Sequence, residues 1–145
     1  MEIKIKKFCE NARLPERATS GSAGMDLYAC VDEPVTINPG DLKSIGTGIA
    51  ISLPNSGYGA FIFARSGLAT KHGVTLSNAV GVVDSDYRGE IKVGLCNVGS
   101  ESYTIEPLER IAQLVILPVC IPEVLVTDVL DETARGDGGF GSTGR

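Results

Sequence analysis

The chain has 145 residues, 43% of them hydrophobic, with no tryptophan and a formal charge of −5. That length suits one domain with a single core. No apolar run approaches the roughly 20 residues needed to cross a bilayer, and the acidic balance disfavours non-specific nucleic-acid binding. The opening "MEIKIKKF" alternates charge with isoleucine and lacks the apolar stretch and cleavage site of a secretory signal, so the expected compartment is the cytoplasm. Cys9, Cys30, Cys96 and Cys120 are widely spaced, form no CxxC pair and have one histidine for company, so they read as buried free thiols.

In chain order, short β-branched runs predict strands over 3–8, 25–29, 35–37, 42–53, 58–64, 89–98, 103–105 and 110–117. The stretches "NPG", "LPNSG" and "EPLE" supply turns between them. Seven prolines and eighteen glycines are incompatible with a helix bundle, and the pattern specifies an all-β domain, barrel or sandwich. One stretch departs from it. In "RSGLATKHG", Ser66 as N-cap and Gly73 as the C-terminal stop frame a helix of one or two turns. Its free N–H groups with Arg65 make either an anion-binding corner or a plain structural turn with a solvated arginine.

The chain closes on "RGDGGFGSTGR", which cannot pack a core and on composition alone reads as a disordered tail. Gly136 and Gly141 have Walker A spacing, but the lysine is missing and no helix can follow four residues from the end of the sequence. The stretch "DSDYRG" begins like a calcium loop, yet Arg88 stands at its fifth position and Leu95 at its twelfth. A serine-histidine-aspartate set would have to use His72, which lies beside no G-x-S-x-G elbow, so hydrolysis here calls for activated water.

Five blocks occur in order: "SAGMDLYA" over 22–29, "RSGLA" over 65–69, "NAVGVVDSDYRGEI" over 78–91, "ERIAQL" over 109–114 and "RGDGGFGSTG" over 135–144. Together they resemble the trimeric dUTP pyrophosphatases (dUTPases), across nearly the whole chain. The resemblance implies a jelly-roll β-barrel over 1–130 with one short helix after the second block, then a flexible glycine-rich flap over 131–145. It also implies a homotrimer whose active sites combine the first, second and fourth blocks of one subunit, the third of a neighbour and the tail of another. A fifteen-residue tail can reach roughly 50 Å.

The implied reaction is dUTP plus water to dUMP and pyrophosphate, by in-line attack on the α-phosphorus. It limits uracil in DNA and supplies dUMP for thymidylate synthesis. Asp84 matches the family's water-activating aspartate, with Asp86 a rival on charge alone. Tyr87 matches the tyrosine that packs under deoxyribose and excludes a 2′-hydroxyl. The hairpin with Asn78, Gly81 and Val83 resembles the uracil pocket, where Ala79, Val80 and Val82 otherwise read as core. Arg65, Ser66 and Gly67 hold the phosphate chain, Gln113 donates its amide and Arg135 meets the γ-phosphate. Phe140 covers the uracil ring, while Gly138, Gly139, Gly141 and Ser142 wrap the phosphates. Asp26 matches the aspartate that holds Mg2+ through water, a cation that keeps several waters and is bound chiefly by substrate phosphates.

Two departures are small: Ala64 stands where many members have proline, and His72 takes no catalytic part. A dCTP deaminase is the enzymatic alternative, but no acid occurs between Ile91 and Val98 where its glutamate belongs. The other alternative, a non-catalytic nucleotide-sensing trimer, predicts loss of the aspartate, the tyrosine or the glycine flap, and all three persist. The expected partners are thus dUTP and two further copies of the chain, with no nucleic acid or membrane.

Overall fold

The computed structural model describes residues 1–139. The strands are β1 (Lys4–Lys7), β2 (Met25–Tyr28), β3 (Val35–Ile37), β4 (Leu42–Gly46), β5 (Ile49–Ser52), β6 (Tyr58–Ala64), β7 (Val74–Leu76), β8 (Gly81–Val83), β9 (Lys92–Asn97), β10 (Tyr103–Ile105) and β11 (Arg110–Pro118). One helix, α1 (Ser66–His72), interrupts them. All the strand pairs are antiparallel: β1 with β5, β3 with β10, β4-β9-β7 in one sheet and β2-β11-β6-β8 in another. The architecture is all-β and of jelly-roll type, as the resemblance implies, and the one short helix begins inside the second block, at Ser66, rather than after it.

Alternation places the core. In β9, Val93, Leu95 and Asn97 turn inward while Lys92, Gly94 and Cys96 are more open. Leu27, Ile37, Ile49, Ile91, Leu95, Ile105, Ile111 and Leu114 are fully buried and belong to one cluster. Asn97 is the polar member of an inward row. It is satisfied by donating to the carbonyls of Ile37 (2.9 Å) and Glu101 (2.7 Å) and by accepting the Gly99 N–H (2.9 Å).

Four expectations are corrected here. The run over 42–53 is two strands, because Gly48 takes a left-handed φ of +67° and turns the chain between β4 and β5. The run over 89–98 begins pairing only at Lys92, since Ile91 spends its N–H on Ile49 O and its carbonyl on Thr47. Ser66 is not the N-cap. It is the first helical residue, Arg65 occupies the cap in extended conformation, and no side chain closes that end. Gly73 does stop the helix as expected, at φ +69° and with its N–H on Ala69 O. The thiols are also more open than expected: Cys9, Cys30 and Cys96 are half-buried and Cys120 is exposed. No helix among the described residues is long and apolar enough to cross a membrane.

After Pro118 the described chain has neither strand nor helix, and every residue over 121–130 is exposed. Val124, Leu125 and Val126 are 91%, 88% and 89% exposed.

Candidate active site

Two pockets collect most of the expected residues. The first, of about 320 Å³, is lined by Asp26, Arg65, Ser66, Gly67 and Gln113, together with Arg110 and the loop of Ala18 and Ser22 to Gly24. The central sheet assembles it. Gln113 on β11 lies opposite Asp26 on β2, and Arg65 follows directly from the end of β6. Asp26 is 14% exposed and is clamped: Arg65 Nε reaches Oδ1 at 3.1 Å and Arg110 Nη1 reaches Oδ2 at 3.2 Å. Arg65 also donates to the Arg110 carbonyl at 3.2 Å, and Gln113 Nε2 donates to Ala64 O at 3.0 Å. Two guanidiniums against one carboxylate leave this corner one positive charge in excess, which suits polyanionic oxygens.

The sequence reading missed Arg110, although it lies inside the fourth block. A regular strand sends residues three apart to opposite faces, so Arg110 and Gln113 would not share a pocket. The register of β11 against β2 shifts between Arg110 and Ala112, inserting Ile111 as an extra residue. That bulge resets the alternation, burying Ile111 and Ala112 together and bringing Arg110 and Gln113 to one site. Arg17 was missed too. It donates to Ser22 O and to Ala23 O, the latter at 2.8 Å, and so fixes the loop that opens the first block.

The second pocket, of about 250 Å³, is lined by Asn78, Gly81, Val83, Asp84 and Tyr87, with Ile62, Val82, Glu90, Ile91 and Lys92. Here backbone does the positioning. Ala79 sits at φ +61°, and the Val80 N–H closes a tight turn on Asn78 O at 2.6 Å. The Tyr87 N–H closes the next turn on Asp84 O at 3.2 Å, and Arg88 braces it through Ser85 O (2.8 Å) and Tyr87 O (2.9 Å). The Tyr87 hydroxyl donates to Glu90 O at 3.1 Å, and its ring lies over Gly89, where a side chain would collide with it. Among the described residues, neither the Asp84 carboxylate nor the Asn78 amide has a side-chain hydrogen bond, and both residues are exposed. Of the apolar residues there, Val83 is core, while Val82 is 64% exposed and Ala79 and Val80 are open as well.

No residue lines both pockets. Arg135, Gly138 and Gly139 line neither, and Arg135 instead folds back locally, Nε to Gly138 O at 2.8 Å. Phe140, Gly141 and Ser142 lie outside the described residues.

For a divalent cation, Asp26 is the one acidic residue lining the first pocket, and both its oxygens already face guanidiniums. The described residues hold no cluster of three or more His, Cys, Asp or Glu side chains. That donor set does not make a protein cage. It fits a hydrated Mg2+ carried mainly by substrate phosphates and touched by Asp26 through water.

Beside the first pocket, the Tyr103 hydroxyl donates to Glu109 Oε1, next in sequence to Arg110. Burial first, then this hydrogen bond, push the Tyr103 phenol up to about 12. His72 packs against Tyr103 with ring centroids 4.7 Å apart, away from both pockets.

The family model described as dUTPase matches residues 10–144. The deoxyuridine 5′-triphosphate nucleotidohydrolase of Desulfitobacterium hafniense is 58% identical over 132 residues, covering 91% of this chain and 87% of that one. The protein of the same name from Idiomarina loihiensis is 52% identical over 147 residues, covering 100% and 97%. Among solved structures, a mutant Staphylococcus bacteriophage 80alpha dUTPase with dUpNHpp superposes with a TM-score of 0.90 at 29% identity, covering 99% of each chain. A mutant dUTPase from phage phi11 of S. aureus, in which a structural Mg(II) ion is coordinated, gives 0.82 at 25% identity, covering 91% and 100%.

Proposed function

The chain belongs to the dUTPase family, and from that premise we propose that it is a dUTP diphosphatase in which Asp84 activates the water that attacks the α-phosphorus. The supporting observation is the division of labour between the pockets. One carries a net positive corner with amide and guanidinium donors; the other carries an unpaired carboxylate beside a hairpin and a tyrosine.

In this reading the uracil edge is read by the Asn78 amide and the backbone of the Asn78–Val83 hairpin. A close wall at uracil C5 rejects thymine, and unpaired buried groups penalise cytosine. Tyr87, held by Glu90 and seated on Gly89, supports the deoxyribose and leaves no space for a 2′-hydroxyl. Asp84 accepts a proton from the attacking water as the new oxygen–phosphorus bond forms. Arg65, Ser66, Gly67 and Gln113 orient the phosphate chain so that pyrophosphate departs opposite the water. Mg2+, when bound, offsets charge on the phosphate oxygens, and Asp26 would hold it through water. Arg135, Gly138, Gly139, Phe140, Gly141 and Ser142 belong in this proposal to a flap that closes over the bound nucleotide and excludes other water.

Because the two pockets share no residue, the complete site is assigned to more than one copy of the chain. The exposed Val124, Leu125, Val126, Val129 and Leu130 support such an assembly, since apolar side chains in that number gain free energy when another copy covers them. A homotrimer in the cytoplasm, with 131–145 as the closing flap, is the form proposed. Pyrophosphate release with magnesium, measured in parallel on dUTP, dTTP, dCTP and UTP, tests the function. Selective cleavage of dUTP is expected. Equal cleavage of UTP would remove Tyr87 from its assigned role, and no cleavage of dUTP would sink the proposal.

A further inference from the structure

Two of the four thiols meet at a place the hydrolytic site does not use. Cys9 follows the end of β1, and Cys30 lies two residues beyond the end of β2. The turn over 46–48 joins them: the Phe8 N–H donates to Gly48 O and the Cys30 N–H to Gly46 O, each at 2.8 Å. Both side chains lean over Gly48. A Cβ built there would stand 2.6 Å from Cys9 Sγ and 2.7 Å from Cys30 Sγ, so the sulfurs are no further apart than those two distances together. Cys30 Sγ also lies 3.8 Å from Asn11 Oδ1, in the turn that Ala12 N–H closes on Cys9 O. Burial, and then its own side-chain hydrogen bond to Cys9, push the Cys30 thiol up to about 11. The two sulfurs therefore lie within those two distances of each other, and both residues are half-buried.

We propose that Cys9 and Cys30 form a reversible disulfide that fastens the N-terminal strand to the end of β2 when a peroxide-class oxidant is present. One thiol sulfur takes an oxygen from the peroxide, giving a sulfenic acid and releasing water or an alcohol. The second sulfur attacks it, the S–S bond forms, and the hydroxyl leaves with the second thiol's proton as water. Two electrons pass from the thiols to the peroxide, and a dithiol reductant reverses the step. Burial holds Cys30 as the thiol at neutral pH, and a reducing compartment keeps the pair reduced. The Gly48 N–H donates to Glu90 Oε1 at 2.9 Å, which ties this turn to the wall of the second pocket.

The test uses the full chain carrying Cys120→Ser, which removes the exposed thiol and leaves the pockets untouched. After treatment with hydrogen peroxide and alkylation, the expected result is a linked pair of peptides containing Cys9 and Cys30. One reactive thiol, Cys96, should remain where the untreated protein shows three, and dithiothreitol should restore the other two. The linked form should melt several degrees higher, and added Cys9→Ser or Cys30→Ser should abolish both the link and the shift. Finding Cys9 and Cys30 both alkylated, separately over-oxidised, or linked to Cys96 or between copies would overturn the proposal.

Discussion

The two pockets are built in opposite ways. In the corner around Asp26 the side chains are already spent on one another, with Asp26 clamped by Arg65 and Arg110 and Gln113 bonded to Ala64 O. In the hairpin pocket backbone turns fix the geometry, while among the described residues the Asp84 and Asn78 side chains have no hydrogen-bond partner. A phosphate chain entering the corner must therefore compete with existing partners for its donors. A nucleoside entering the hairpin pocket meets groups that have nothing to give up. Substitutions should accordingly separate the regions: corner residues act on binding, and Asp84 acts on turnover with little effect on stability.

The largest effect is expected at Asp84. Asp84→Asn should lower kcat by about 10²–10⁴-fold, the usual span for loss of a general base, with nucleotide affinity largely kept. The melting temperature should not move, because the side chain has no partner to lose. Steady-state kinetics beside calorimetric titration with a non-hydrolysable analogue would decide it, and an unchanged kcat removes Asp84 from the mechanism.

Arg110→Ala comes next. Loss of one arm of the clamp should lower kcat/KM about tenfold, roughly 1.4 kcal/mol, chiefly through KM. A fall confined to kcat would mean that the corner does more than hold phosphate.

Ala79→Gly tests the backbone side of the comparison. The left-handed φ of Ala79 costs an L-residue roughly 1–2 kcal/mol. Glycine removes that strain but loses more entropy on folding, so a net gain of about 0.5–1 kcal/mol is expected. Thermal unfolding should show a rise of a few degrees, and a drop would mean that the turn is not strained.

The smallest effect concerns pH. The Tyr103 phenol titrates at about 12 in the folded chain against an ordinary value of 10.0. The folded state thus holds this proton more tightly. The resulting stability is fully present below pH 10 and is lost as pH rises towards 12. Tyr103→Phe should flatten unfolding free energy over that window, whereas identical slopes in both proteins would refute the assignment.

Much of the fold could be read from the sequence because its signals are local. β-branched runs broken by glycine and proline located nearly every strand, and Gly73 marked the helix end. The short strands over 74–76 and 81–83 went unread, since three residues carry too little pattern to register. The 42–53 run hid its break because Ile45, Thr47 and Ile49 keep a β-branched alternation across Gly46 and Gly48, and only the pairing of β1 with β5 and of β4 with β9 shows why Gly48 must turn there. At the site, the resemblance carried by the five blocks singled out Asp26, Arg65, Gln113, Asp84 and Tyr87. They could not say which of these share a pocket, because contiguity along the chain carries no information about what another strand brings alongside.

The amino-acid sequence by itself determined the all-β class, which rests on composition and short-range spacing, and the family, which rests on the resemblance of five blocks in order. Tertiary structure alone decided that a bulge at Ile111 turns Arg110 onto Asp26, that Asp26, Arg65 and Gln113 stand in one pocket and Asp84 and Tyr87 in another, and that Cys9 and Cys30 converge over Gly48. Strand register and bulges are settled by partners distant in the chain. A shift of one residue reverses which face every side chain meets, and no local stretch encodes that shift.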